Sequence, residues 1–141
     1  MYKVILFDLD GTLTESGEGI TKSVQYALER IGKPEPNLEK LKVFIGPPLM
    51  EMFMQYAQID EATAKQAVEI YRERYSVTGI FENAVYPGIL ELLAGLKKDG
   101  YKLYVATSKP EPYSVKIIGC VYEEGLNACA KNIVSLFANL T

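Results

Sequence analysis

The run Val4-Ile5-Leu6-Phe7-Asp8-Leu9-Asp10-Gly11-Thr12-Leu13 constrains this chain more than any other stretch. Four consecutive apolar residues have the length and type of a strand buried on both faces. The strand ends in two carboxylates spaced i, i+2, followed by Gly-Thr. On an extended strand that spacing points both side chains the same way; past the strand end, only their proximity follows. Acids at the carboxyl end of a central strand lie where open α/β sheets place ligands. Gly11 lets the backbone turn tightly and brings its N–H near a bound anion.

The residue types that are missing narrow the chemistry. The chain has no histidine, which excludes a Ser-His-Asp triad, a Cys-His dyad and the common zinc sites. Acid-base work then falls to carboxylates or lysine, and oxygen ligands suit magnesium (Mg2+) better than zinc. A net charge of −3 gives no basic surface for nucleic acid. No window approaches the length of a transmembrane helix, and the N-terminal apolar run is too short for a signal peptide. Cys120 and Cys129 make neither a metal-type cluster nor a disulfide framework, which fits a reducing cytoplasm. The 141 residues suffice for one domain core and a small appendage. Oligomeric state is not legible.

After Leu13 the period changes from strand to helix. Ser16 is placed to cap a helix with Ile20, Val24, Ala27, Leu28 and Ile31 on one face, ended by Gly32 and Pro34. Asn37 can cap a short helix carrying Leu38, Leu41 and Ile45. Gly46-Pro47-Pro48 breaks it and starts another with Leu49, Met52, Phe53 and Tyr56 on one side. Asp60 caps a longer helix aligning Ala64, Ala67, Val68, Tyr71 and Tyr75. With no strand among them, residues 16–80 are expected to form an all-α insertion, a cap. Residues 1–15 and 81–141 are expected to form the α/β core, with linkers at Leu13–Glu15 and Phe81–Tyr86. In the core, Pro87 begins a helix with Ile89, Leu92, Leu93 and Leu96 on one face, closed by Gly100. Lys102-Leu103-Tyr104-Val105-Ala106-Thr107 reads as a second strand. Ser108-Lys109-Pro110 opens a turn toward a helix start, where a hydroxyl and backbone N–H groups converge on one spot.

The apolar run with Asp-x-Asp-Gly-Thr resembles the first signature of the haloacid dehalogenase-like phosphatases. Tyr104 to Pro110 resembles their second. The order of the two signatures around a helical insertion resembles the phosphoglycolate phosphatase branch, over about Met1 to Val115. The resemblance implies a Rossmann-like parallel sheet core with a helical cap, and a magnesium-dependent phosphatase of small phosphorylated metabolites. It implies Asp8 as the nucleophile that becomes an aspartyl phosphate and Asp10 as the general acid and base. Asp8 and Asp10 would ligate the metal; Gly11, Thr107 and Ser108 would bind the phosphate. Gly46-Pro47-Pro48-Leu49 resembles a cap loop that dips toward substrate, with a plain helix-helix turn as the equal alternative. Lys22, Lys42 and Lys109 are in range of such a site, but read first as surface lysines.

The chain also departs from that pattern. The family's later lysine is missing, and so is its Gly-Asp acidic motif: no aspartate follows Thr107. Ile117-Ile118-Gly119-Cys120-Val121-Tyr122 resembles the family's fifth core strand. Residues 123–128, 131–134 and 136–140 resemble a helix, a short strand and a closing helix. The chain therefore resembles a member with the middle of its second half removed and a join near Lys116 to Ile118. A break in chain geometry is expected between Tyr113 and Glu124; continuity there favours a catalytically impaired remnant or binding module. A phosphoacceptor receiver domain is a third reading, opposed by the helical insertion and by the lack of an Asp on a later strand.

Overall fold

In the computed structural model the described residues are 4–107 and 109–123, with side chains described as far as Ile118. The chain divides into two units, Met1–Glu15 with Ala84–Thr141, and Ser16–Asn83. Among the described residues, no helix is long and apolar enough to cross a membrane.

The first unit carries the sheet. Strand β1 (Val4–Phe7) pairs in parallel with the later strand Lys102–Val105, with Ile5 opposite Leu103 and Phe7 opposite Val105. Opposed residues share a face, and that face is the covered one: Leu103 and Val105 are buried. The other face is open, with Val4 50% and Leu6 66% exposed. The expectation of a strand buried on both faces is thus corrected. Double burial needs a layer on each side, and the described elements supply one.

Two short strands, β2 (Thr14–Glu15) and β3 (Ala84–Val85), pair antiparallel. The Tyr86 N–H donates to Leu13 O, and its hydroxyl donates to Glu15 Oε2 at 2.7 Å. The residues expected to be linkers are therefore hydrogen-bonded to one another, while residues 81–83 belong to the helical unit. The strand Lys102–Val105 is then β4. Between β3 and β4 runs the helix Ile89–Lys98, which buries Leu93 but leaves Leu92 exposed. Its N-cap Gly88 has φ +81°, and Lys97 and Lys98 complement the dipole at its last turn.

A helix spans Glu111–Glu123 without interruption. Ile117-Ile118-Gly119-Cys120-Val121-Tyr122 is therefore helical, not a strand. Ser114, Ile117 and Ile118 are buried at i, i+3, i+4 spacing, so the helical period overrides β-branched composition. The expected break between Tyr113 and Glu124 is likewise absent through Glu123. The elements expected over residues 124–141 lie outside the described residues.

The second unit is helical. Helix α1 (Gly17–Arg30) buries Ile20, Val24, Ala27 and Leu28. Ser16 sits at its N-cap position without a capping hydrogen bond. A 3-10 turn, Lys40–Phe44, buries Leu41 and Phe44 in place of the short α-helix expected there. Helix α2 (Leu49–Ala57) brings Phe53 to 5.1 Å from the Phe44 ring, and Tyr56 meets Phe44 edge-on. Helix α3 (Glu61–Val77) is capped by the Asp60 carboxylate, which accepts from the Thr63 N–H at 2.8 Å. Its buried positions are Ala64, Ala67, Val68, Tyr71 and Tyr75. In chain order, the helices of the first unit, Ile89–Lys98 and Glu111–Glu123, are α4 and α5.

Arg74 ties the end of α3 to the return segment. Its guanidinium donates to both Glu82 carboxylate oxygens, at 2.9 and 3.0 Å, and to Ser23 Oγ. These hydrogen bonds hold the Glu82 carboxyl below the ordinary glutamate range, against the upward push of burial. Arg74→Met is expected to destabilise the chain by about 2 kcal/mol at neutral pH, because the half-buried carboxylate loses its two-pronged partner and keeps only Lys22 at 3.5 Å. A lowered folded-state pKa means stability present above the unfolded value, about 4.3, and lost as pH falls through the lowered one. The gap between wild type and variant in urea unfolding should therefore be full at pH 7 and narrow below about pH 4.

Candidate active site

Parallel pairing sends β1 and β4 out of the sheet at the same end. Ala106 N–H donates to Phe7 O at 2.7 Å, so the strands separate only beyond this bond. Asp8 then leaves β1, and Thr107 leaves β4 one residue after Ala106. The two predicted signatures stand side by side because the strands that carry them are neighbours.

The loop after β1 is wound around one carbonyl. Leu9 is buried, and its carbonyl accepts the N–H groups of Leu13 and Thr14, both at 3.0 Å. Asp8 is exposed at the strand end, and its Oδ1 accepts the Leu9 N–H at 2.7 Å. Asp10 is part-buried. Its Oδ2 meets Lys109 Nζ at 3.1 Å, while its Oδ1 is buried with no hydrogen-bond partner among the described residues. Gly11 has φ +77°, the turn that glycine permits. Its N–H, however, donates to Thr14 O at 2.8 Å. The expectation that this N–H faces an anion is corrected: it closes the loop.

The loop after β4 is fixed by hydroxyls. Thr107 Oγ1 accepts the Lys109 N–H at 3.2 Å, which leaves the hydroxyl proton to be donated elsewhere. Ser114 Oγ, buried on α5, donates to Lys109 O at 3.2 Å. Ser108 lies outside the described residues. Lys109 is the residue that sequence reasoning undervalued: its side chain is 7% exposed and paired with Asp10, not a surface turn lysine. The available signal was the parallel pairing itself, which brings the loops after both strands together.

The three candidate cap features belong to the helical unit. Lys22 pairs with Glu18 and with Glu82, and Lys42 pairs with Glu39. Gly46 turns the chain at φ +105° before α2. Among the described residues, no group of three or more acidic, histidine or cysteine side chains is placed to hold a metal ion.

The family model for haloacid dehalogenase-like hydrolases matches residues 5–134. A 5'-nucleotidase of Pseudomonas aeruginosa is 58% identical over 116 residues, which cover 82% of this chain and 52% of the relative. The tyrosine-protein kinase PtkA of Mycobacterium tuberculosis is 40% identical, covering 82% and 39%. A phosphoglycolate phosphatase of Pseudomonas syringae is 32% identical, covering 82% and 45%. The crystal structure of a predicted phosphatase from Clostridium acetobutylicum superposes with a TM-score of 0.80 at 49% identity, over 86% of this chain and 56% of that one. The chain thus spans about half the length of the curated relatives it matches.

Proposed function

Because this chain belongs to the haloacid dehalogenase-like hydrolases, we propose that it hydrolyses phosphate monoesters of small metabolites, with Asp8 as nucleophile. The observation that carries the reading is the junction of the two loops. The acids after β1 and the hydroxyl turn after β4 leave neighbouring strands at one end and touch through Asp10 and Lys109.

In this mechanism an Asp8 carboxylate oxygen attacks phosphorus in line with the ester oxygen. The ester P–O bond breaks as the aspartyl phosphate forms. Asp10 gives a proton to the leaving oxygen through Oδ1, which has no hydrogen-bond partner among the described residues. It then takes a proton from the water that hydrolyses the acyl phosphate. Thr107 donates its hydroxyl proton to a phosphate oxygen. The helical unit Ser16–Asn83 takes the place in the chain of the cap that the family resemblance implies. Phosphoglycolate and nucleoside monophosphates are both open as substrates, and a reducing cytoplasm is the setting we infer.

The donor set suits magnesium. It would consist of oxygens only, from the Asp8 carboxylate and the Asp10 main chain, with waters and substrate phosphate completing the shell as magnesium commonly requires. When bound, the ion supplies neutralisation of phosphoryl charge.

Asp10→Asn tests the acid-base role. With p-nitrophenyl phosphate and magnesium, kcat is expected to fall about 10²- to 10⁴-fold while KM changes little. Unchanged kcat would remove Asp10 from the mechanism. The second reading is a catalytically impaired remnant or binding module, and the observation that favours it is the continuity of α5 through Glu123. No magnesium-dependent turnover by the wild-type chain in the same assay would select it.

A further inference from the structure

We propose that Lys109 is a positioning residue for Asp10: it anchors one carboxylate oxygen and leaves the other without a protein partner among the described residues, reserved for proton transfer. The proposal rests on the phosphatase reading for its consequence, and on geometry for the contact itself. A carboxylate that both gives and takes a proton needs one oxygen held and one oxygen available. Asp10 has that division. Oδ2 meets Lys109 Nζ at 3.1 Å, and Oδ1 is buried without a hydrogen-bond partner among the described residues.

The lysine is built in at both ends. Its side chain is 7% exposed, so the ammonium is not one of many solvent-averaged positions. Its backbone is clamped on each side: the N–H donates to Thr107 Oγ1, and the carbonyl accepts from buried Ser114 Oγ. Pro110 follows, and its carbonyl accepts the N–H groups of Tyr113 and Ser114 in the first turn of α5. The turn after β4 thus does two things. It presents the Thr107 hydroxyl, and it delivers a cation across to the loop after β1. Burying an ammonium costs free energy unless it is paired; here the pair is with the proposed acid-base group. This cation differs in place from the lysine that the sequence lacks, since it lies two residues after Thr107 and contacts the second acid of the first signature.

The test uses the 141-residue chain with two readouts. The first is turnover of p-nitrophenyl phosphate with magnesium. Lys109→Met is expected to lower kcat roughly 10- to 100-fold, with KM changed less than about threefold, because the acid is misplaced and the binding groups remain. Lys109→Arg should recover part of the loss, since it restores the cation without the same reach. Wild-type kcat in Lys109→Met would overturn the proposal, and so would an Arg variant as slow as the Met variant while still folded by circular dichroism. The second readout is the 15N ammonium resonance of Lys109. It should be protected from solvent exchange in the wild-type chain and lose that protection in Asp10→Asn. A signal that is unprotected, or unchanged by Asp10→Asn, overturns the pairing whatever the turnover. If the wild-type chain shows no turnover at all, the phosphatase reading fails and with it the positioning role. The resonance then decides the contact alone.

Discussion

Asp8→Asn is expected to abolish phosphate-ester hydrolysis, by at least about 10³-fold in kcat. The replacement keeps size, shape and one carbonyl-type oxygen. That oxygen can still accept the Leu9 N–H that Asp8 Oδ1 accepts at 2.7 Å, so the loop keeps its hydrogen bond. What is lost is the anionic oxygen that would bond to phosphorus. An amide oxygen is a poor nucleophile and forms no stable acyl phosphate. Asp8 is exposed at the end of β1, so its replacement should leave unfolding free energy within about 0.5 kcal/mol of wild type. A loss of turnover with unchanged stability separates a chemical role from a structural one. Acid quenching with labelled substrate should trap phosphate on the wild-type chain and none on the variant. Near-full activity in Asp8→Asn would remove the aspartyl phosphate from the mechanism.

The parts of the fold that were legible from sequence are those written in local terms. In α3, the cap Asp60 and the buried set Ala64, Ala67, Val68, Tyr71 and Tyr75 follow from a 3.6-residue period and one side-chain hydrogen bond. The ends of α1 and α4 were legible for a similar reason, since Gly32 and Gly100 take left-handed φ. The failures lie elsewhere. Val4 and Leu6 carry the composition of a doubly buried strand, but burial depends on what is laid against each face. Residues 117–122 carry strand-like composition, yet Ser114, Ile117 and Ile118 close a helical face. Gly11 was identified correctly as a turn residue, but the direction of its N–H depends on where Thr14 O returns. Lys109 was misread because a lysine beside a proline looks solvated until the neighbouring loop is known. The misses at β1 and Lys109 concern partners distant in sequence, which no periodicity reports; those at Gly11 and in α5 turn on groups within a few residues, whose local conformation composition alone does not fix.

The largest expected effect on stability comes from a glycine that the sequence does not single out. Gly19 lies in the first turns of α1, and its N–H donates to Glu82 O at 3.2 Å. A Cβ on Gly19 would stand 1.9 Å from Gly79 O and 2.8 Å from Gly79 C. Both obstacles are backbone, so no side chain can swing away to make room. The reverse crossing is equally close: a Cβ on Gly79 would stand 2.9 Å from Gly19 O and 2.7 Å from Ser23 Oγ. The return segment therefore crosses α1 glycine on glycine, and the Arg74–Glu82–Ser23 contacts are built on that approach. Gly19→Ala must push α1 and the segment Gly79–Phe81 apart. Helix propensity favours alanine by about 1 kcal/mol, but overpacking against fixed backbone costs about 3 kcal/mol or more. The net sign is destabilising. Gly95→Ala in α4 is the control, because its Cβ would meet nothing within 4 Å; there the propensity term stands alone and should stabilise by roughly 0.5–1 kcal/mol. Urea unfolding followed by circular dichroism reads both variants. A Gly19→Ala chain as stable as wild type would show that α1 and the return segment do not approach as closely as their backbones here require.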